Sequence, residues 1–123
     1  MNSLTELNKL RSKQSLELVK EDSRLVLVAQ KHADWMNKHK NLSHEEGDLG
    51  LSLMERVLNE NISYSIIAEN VAEGVDLADE VIDMWLDSSI DKHHMLSNYK
   101  YGGMAFSGFY CCLVLANLWE NNG

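Results

Sequence analysis

The 123-residue chain contains no proline and no low-complexity stretch. It therefore carries no proline-rich linker and reads as a single domain over residues 1–123. Cysteine is scarce: Cys111 and Cys112 are the only two, and they are adjacent. In a strand, neighbouring side chains point to opposite faces, which disfavours a disulfide between them. They are expected as buried thiols and supply no disulfide framework. Positive charge is also scarce, with 11 Lys and Arg against 19 Asp and Glu and a net charge of −8. Nucleic acid and anionic membrane surfaces are bound through an excess of Lys and Arg, so neither is expected as a partner. No run reaches the roughly 18 apolar residues that a membrane-spanning helix needs. Residues 1–10 lack the basic and apolar regions of a signal peptide. The chain is then either cytosolic or the mature or trimmed form of an exported protein.

Several motifs are missing too. Gly102-Gly103 and Gly108 do not form a phosphate-binding glycine loop, and His44-Glu45-Glu46-Gly47-Asp48 lacks the second histidine of a metalloprotease helix. Ser88 and Ser89 have no activating base in a recognisable pattern, so no serine nucleophile is expected.

What is present is periodicity. Apolar residues make up 45% of the chain, enough for a small core. Leu4, Leu7 and Leu10 predict a short helix from Ser3 to Lys13, with Ser3 as its cap and Glu6 as the reciprocal partner. Leu25, Val28, Ala29, His32, Ala33 and Met36 mark one face of a helix from Asp22 to Lys40, capped by Asp22 or Ser23. His32 on that stripe reads as a hydrogen-bonded core residue. A shorter helix is expected at Leu51–Leu58, then loop and strand at Ile62–Gly74. Ala78, Val81, Ile82, Trp85 and Leu86 predict a further helix opened by Asp76, with Trp85 in the core. Gly102, Gly103 and Gly108 suit strand ends and a turn. Phe109–Leu118 is apolar at nearly every position and predicts a strand covered on both faces, antiparallel to the one before it. Trp119 would cover the sheet edge, and Met54, Met84, Met95 and Met104 read as packing residues. The expected fold is α+β, a three-layer α-β-α sandwich with a small antiparallel sheet between helices.

Four short elements carry the chemistry: Ser43-His44, Glu55-Arg56, the 68–74 stretch with Glu69-Asn70, and Trp85-Leu86-Asp87-Ser88. They bring one imidazole and two carboxylates from separate segments, the usual way a metal or polar-ligand site is assembled. From the residues alone, His44 is either a loop histidine or a ligand whose pKa the carboxylates beside it would raise. Glu55 and Glu69 are ligands, an acid–base pair or structural groups.

The order and spacing of these elements resemble the CAP superfamily, also called SCP-like proteins, which includes cysteine-rich secretory proteins, venom allergens and plant pathogenesis-related proteins. Leu7-Asn8-Lys9-Leu10-Arg11 is similar to the family's opening helix, and Leu25–Met36 to its second. Ser43-His44, Glu55-Arg56, residues 69–74 and Trp85–Leu96 resemble its signature blocks, and Tyr101–Ala116 its closing strand pair. The resemblance implies secretion or surface display. It also implies a cleft with two histidines and two glutamates that in several members binds a divalent metal. Carried across, the metal ligands are His44, Glu55 and Glu69. The second histidine falls on Asp91, and His94 stands where the family usually has asparagine. Asp91 as an oxygen ligand would shift the site from zinc toward calcium, magnesium or manganese. His93 or His94 would be the alternative donor, with His94 one helical turn from Asp91.

The expected function is a non-enzymatic, extracellular or surface binding module, monomeric, with His44, Glu55, Glu69, Asp91 and His94 lining a cleft for a small molecule, lipid or protein partner. Its leader or lipid anchor would lie upstream. The alternatives are a metal-dependent, peptide-cleaving hydrolase using zinc or calcium, and a structural surface domain with a vestigial site.

Overall fold

The computed structural model describes residues 2–119. In chain order the elements are α1 (Thr5–Lys13), β1 (Lys20–Glu21), α2 (Ser23–His39), α3 (Leu53–Asn59), β2 (Tyr64–Glu73), α4 (Ala78–Leu86), α5 (Ser89–Leu96), β3 (Tyr101–Ser107) and β4 (Tyr110–Leu118). The sheet order is β1-β3-β4-β2. β4 is antiparallel to both β3 and β2, whereas the two-residue β1 pairs parallel to β3. The expected α+β sandwich is therefore present, with one short parallel edge that no periodicity could announce.

β4 explains the layering. Cys111, Leu113 and Leu115 face one core with Leu4, Leu7, Val81, Trp85 and Met95, contributed by α1, α4 and α5. Cys112, Val114 and Ala116 face the other with Leu25, Val28, Ala29, Met36 and Val57, contributed by α2 and α3. Alternation at period two thus feeds both layers, which is why the strand reads as an unbroken apolar run. It also separates the two thiols, which are free and buried. Burial pushes both thiols well above their ordinary value, so they are unreactive packing groups.

α2 follows its sequence pattern closely. Asp22 accepts from the backbone N–H of Arg24 at 2.9 Å and of Leu25 at 3.2 Å, and the helix closes on Lys40 in the left-handed region with φ 50°. All six residues of the predicted stripe are buried. α3 begins with a capping box in which Ser52 and Glu55 satisfy each other's backbone N–H.

Other local expectations are corrected. Ser3 does not cap α1: Leu4 occupies that position without a side-chain bond. The Ser3 hydroxyl instead accepts from the Met104 N–H at 3.2 Å, and its own N–H donates to Glu21 at 2.7 Å, pinning the chain start to the sheet. α4 likewise starts at Leu77 with no side-chain cap, so Asp76 does not open it. The Trp119 side chain is exposed rather than packed over the sheet edge, and Met54 and Met84 are exposed while Met95 and Met104 are buried. Gly102 and Gly103 lie inside β3, not at its end. Gly103 is required by the approach of α2, since a Cβ there would stand 2.3 Å from the Val26 nitrogen, whereas a Cβ on Gly102 would meet the side chains of Leu115 and Val19 at 3.0 and 3.1 Å. Gly108 does make the β3–β4 turn, at φ +57°.

Because Gly103 meets backbone and not a movable side chain, Gly103→Ala should destabilise the protein by about 3 kcal/mol in urea denaturation. Gly47→Ala, where a Cβ meets nothing within 4 Å, should be nearly neutral.

Candidate functional site

β2 is the free edge of the sheet, and two consecutive residues of it point to opposite faces. Glu69 faces the α2–α3 layer and is only 3% exposed. Its Oε1 accepts from His44 Nδ1 at 2.9 Å and from Arg56 Nη2 at 3.0 Å. Its Oε2 accepts from Arg56 Nη2 at 2.8 Å and from the Cys112 thiol at 3.2 Å. The same Arg56 nitrogen donates to the His44 carbonyl at 2.8 Å. One guanidinium thus fixes both the carboxylate and the loop that carries the imidazole. On the other face, Asn70 donates to the Asp91 carbonyl at 3.1 Å and accepts from His94 Nδ1 at 2.8 Å, holding α5 against β2.

Beneath His44 lies a second buried pair. His32 Nδ1 is 2.8 Å from Glu46 Oε2, and its Nε2 faces the Ser43 carbonyl. Both partners are acceptors, so the doubly protonated ring satisfies this geometry. Glu46 and Leu51 exchange backbone bonds at 2.8 and 3.2 Å, closing the base of a tight loop. His32, expected as a hydrogen-bonded core residue, is that, and it anchors the His44 loop.

Electrostatics follow from these contacts. Burial alone would raise the Glu69 carboxyl, but the His44 hydrogen bond and the charges of Arg56 and His32 outweigh it and hold it below the ordinary range. The hydrogen bond to Glu69 raises His44, burial opposes this, and the charges of Glu69 and Asp91 add to the rise. The neighbouring Glu45 and Glu46, expected to act on His44, are not its partners. Burial lowers His94, with Asp91 opposing and the charges of His93 and His44 adding to the fall. Asp91 thus lies within electrostatic reach of imidazoles on both faces of β2. His44 Nε2 has no hydrogen-bond partner among the described residues, and its side chain is 59% exposed.

The structure brings together His44, Glu69, Asp91 and His94 but not Glu55. Glu55 is exposed, and its Oε1 accepts from the Ser52 N–H at 3.2 Å and the Ser52 hydroxyl at 3.0 Å. The acid buried here beside Glu69 is Glu46. The set His44, Glu55 and Glu69 does not fit a metal: one carboxylate caps a helix, and the other is held by a cation and two further donors. Among the described residues no group of three or more His, Cys, Asp or Glu is arranged to hold a metal ion. Sequence reasoning also missed Arg56 and Asn70 as organising residues. The Ser52-Leu53-Met54-Glu55 capping pattern was the available signal against Glu55.

Arg56→Met should cost about 3–5 kcal/mol, because it leaves the buried Glu69 carboxylate without its cation. The pH dependence of stability has two limbs. Glu69, held low, contributes above the ordinary carboxylate range and loses its contribution as pH falls through its own lowered value. His44, held high, contributes fully below the ordinary imidazole value and loses its contribution as pH rises through its own raised value. Denaturation against pH should show the upper limb abolished in His44→Ala and the lower limb flattened in Glu69→Gln.

Comparison with known proteins agrees with this architecture. A search of curated proteins returns no match. The solved structure of an extracellular protein containing an SCP domain from Bacillus anthracis superposes with a TM-score of 0.85 at 21% identity, over 90% of this chain and 37% of that one. An outer surface protein from Borrelia burgdorferi gives 0.83 at 21% identity, over 94% of this chain and 89% of that one. A cysteine-rich secretory protein from Staphylococcus aureus gives 0.75 at 19% identity, over 94% and 38%. The chain therefore spans well under half of two of these proteins and most of the third. The profile of the cysteine-rich secretory protein family, CAP, matches residues 4–114, and the chain belongs to that family.

Proposed function

We propose that the protein is a non-enzymatic binding module of the CAP family that works outside the cytoplasm. The observation that carries this reading is the commitment of Glu69. Both of its oxygens are taken by Arg56, His44 and Cys112, and Glu55 is taken by the α3 cap. A carboxylate paired with a guanidinium and held low is a poor general base, since such a base works best with a pKa near the operating pH. A hydrolase also needs an open metal position, and the carboxylates expected to build one are occupied.

What the cleft offers is recognition. Glu69 orients the His44 ring through Nδ1 and leaves Nε2 facing outward as a hydrogen-bonding group, with Asp91 and His94 across the strand edge. This suits a small molecule, a lipid headgroup or a protein loop presenting a carbonyl or carboxylate to the imidazolium. The extracellular and surface character of the Bacillus and Borrelia structures supports display outside the cell. No helix among the described residues is long and apolar enough to cross a membrane.

Calorimetric titration of metal-stripped protein with zinc, then calcium, alongside His44→Ala separates this reading from the hydrolase. The expected result is no saturable binding that depends on His44, and no cleavage of a peptide library with either ion added. Saturable binding lost in His44→Ala, with turnover, would overturn the binding-module assignment.

A further inference from the structure

The guanidinium that holds Glu69 is only partly used. Arg56 Nε and Nη1 have no hydrogen-bond partner among the described residues, and the side chain is only 5% exposed. The nearest acceptor on Glu46 is 3.9 Å from Nε, beyond hydrogen-bond length. Leaving buried donors unmade is costly, and such groups mark a strained site or a missing partner. Here the missing partner has room. Arg56 and Glu46 line a cavity of about 550 Å³ between α2, the loop after Glu46 and α3, with Val28, Trp35, Leu49 and Leu51 as apolar walls. His44, Glu69, Asp91 and His94 are not among its lining residues, so it is separate from the strand-edge cleft. Its size is that of a small-molecule pocket, and its apolar walls are interleaved with charged side chains, Lys31, Asp34, Lys38 and Glu60 among them.

The charges of the cavity identify the occupant. Glu60 is paired with Lys31, and Asp34 accepts from the Gln30 amide at 3.0 Å. Glu46 is held by His32 at 2.8 Å. Once these internal pairs are made, the groups without a partner among the described residues are Lys38 at the mouth, the Asn59 amide, and the two nitrogens of Arg56 behind the wall, so the unpaired charge is positive on Lys38 and Arg56, with Asp34 held only by a neutral amide. We propose that this cavity binds a small organic carboxylate with an apolar body. Its carboxylate meets Arg56, and its body lies against Trp35, Leu49 and Leu51. The two Arg56 nitrogens have no exposed surface of their own, so the Glu46–Leu51 loop must ease outward for the ligand to reach them. That loop contains Gly47 and Gly50, and a Cβ at either would meet nothing within 4 Å. The proposal is independent of what the His44 cleft binds.

The test is an NMR titration of the isotope-labelled full chain with 1-naphthoate, beside its uncharged analogue 1-naphthamide. The expected result is saturable shifts in residues 28–38 and 46–60, with a Kd below about 1 mM. Binding should be about tenfold weaker for the amide, which cannot form the charge-assisted bond. Because Arg56 variants lose stability, the dependent variant is Leu49→Asp, at a side chain 59% exposed. It should keep the wild-type fold by circular dichroism and weaken naphthoate by about tenfold or more. Absence of saturable shifts would overturn the proposal, as would equal binding of acid and amide. So would shifts confined to His44, Asp91 and His94, which would place the anion in the strand-edge cleft.

Discussion

A carboxylate in the interior must be paired or neutralised, and in this protein the pairing of Glu69 organises everything around it. Its partners come from three directions: His44 from the loop after α2, Arg56 from α3, and Cys112 from the neighbouring strand. α3 is only seven residues long, too short to persist by itself. Part of what holds it in place is the guanidinium it sends to the sheet. The loop from Ser43 to Leu51 has little apolar anchorage of its own. It is fixed by His32 from below and by Arg56 through its own carbonyl. Without that carboxylate, the helix and the loop would keep the Arg56 bond to the His44 carbonyl but lose their polar tie to the edge strand.

The next residue does the same for the opposite layer. Asn70 is fully buried and spends both ends of its amide on α5. Two adjacent positions on one edge strand therefore tie down both helical layers. The position of the imidazoles depends on this pair more than on their own loops. Arg11 plays a comparable part at the other end of the molecule. It is buried and donates to the carbonyls of Glu17, Met95 and Ser97 at 2.9, 2.7 and 2.7 Å, joining α1 to the end of α5.

Much of this was legible in the sequence where periodicity and chemistry agreed. The α2 stripe is long and capped by an aspartate, and the β4 run is too apolar to face water, so both were readable. Family resemblance supplied His44 and Glu69 as neighbours, 25 residues apart in the chain. β1 has two residues and no pattern to read. The starts of α1 and α4 carry polar residues that resemble caps but bond elsewhere or not at all, because tertiary contacts outbid a local preference. The exchange of Glu55 for Glu46 has a similar origin. Both are acidic residues near His44 in sequence, and only the capping pattern at Ser52 distinguishes the helix-start glutamate from the buried one. The partnership of His32 with Glu46 spans 14 residues of loop and helix, and no spacing rule encodes it.

β4 has a consequence for how the molecule comes into being. It is the last of the described elements along the chain and the strand against which both cores close. Helices α2 and α4 can form their turns early and have β3 and β2 to pack on, but each core lacks its central strand until residues 110–118 exist. A growing chain that stops short of them holds two unfinished half-cores. It stays open, and therefore threadable and vulnerable to proteases, until β4 is available.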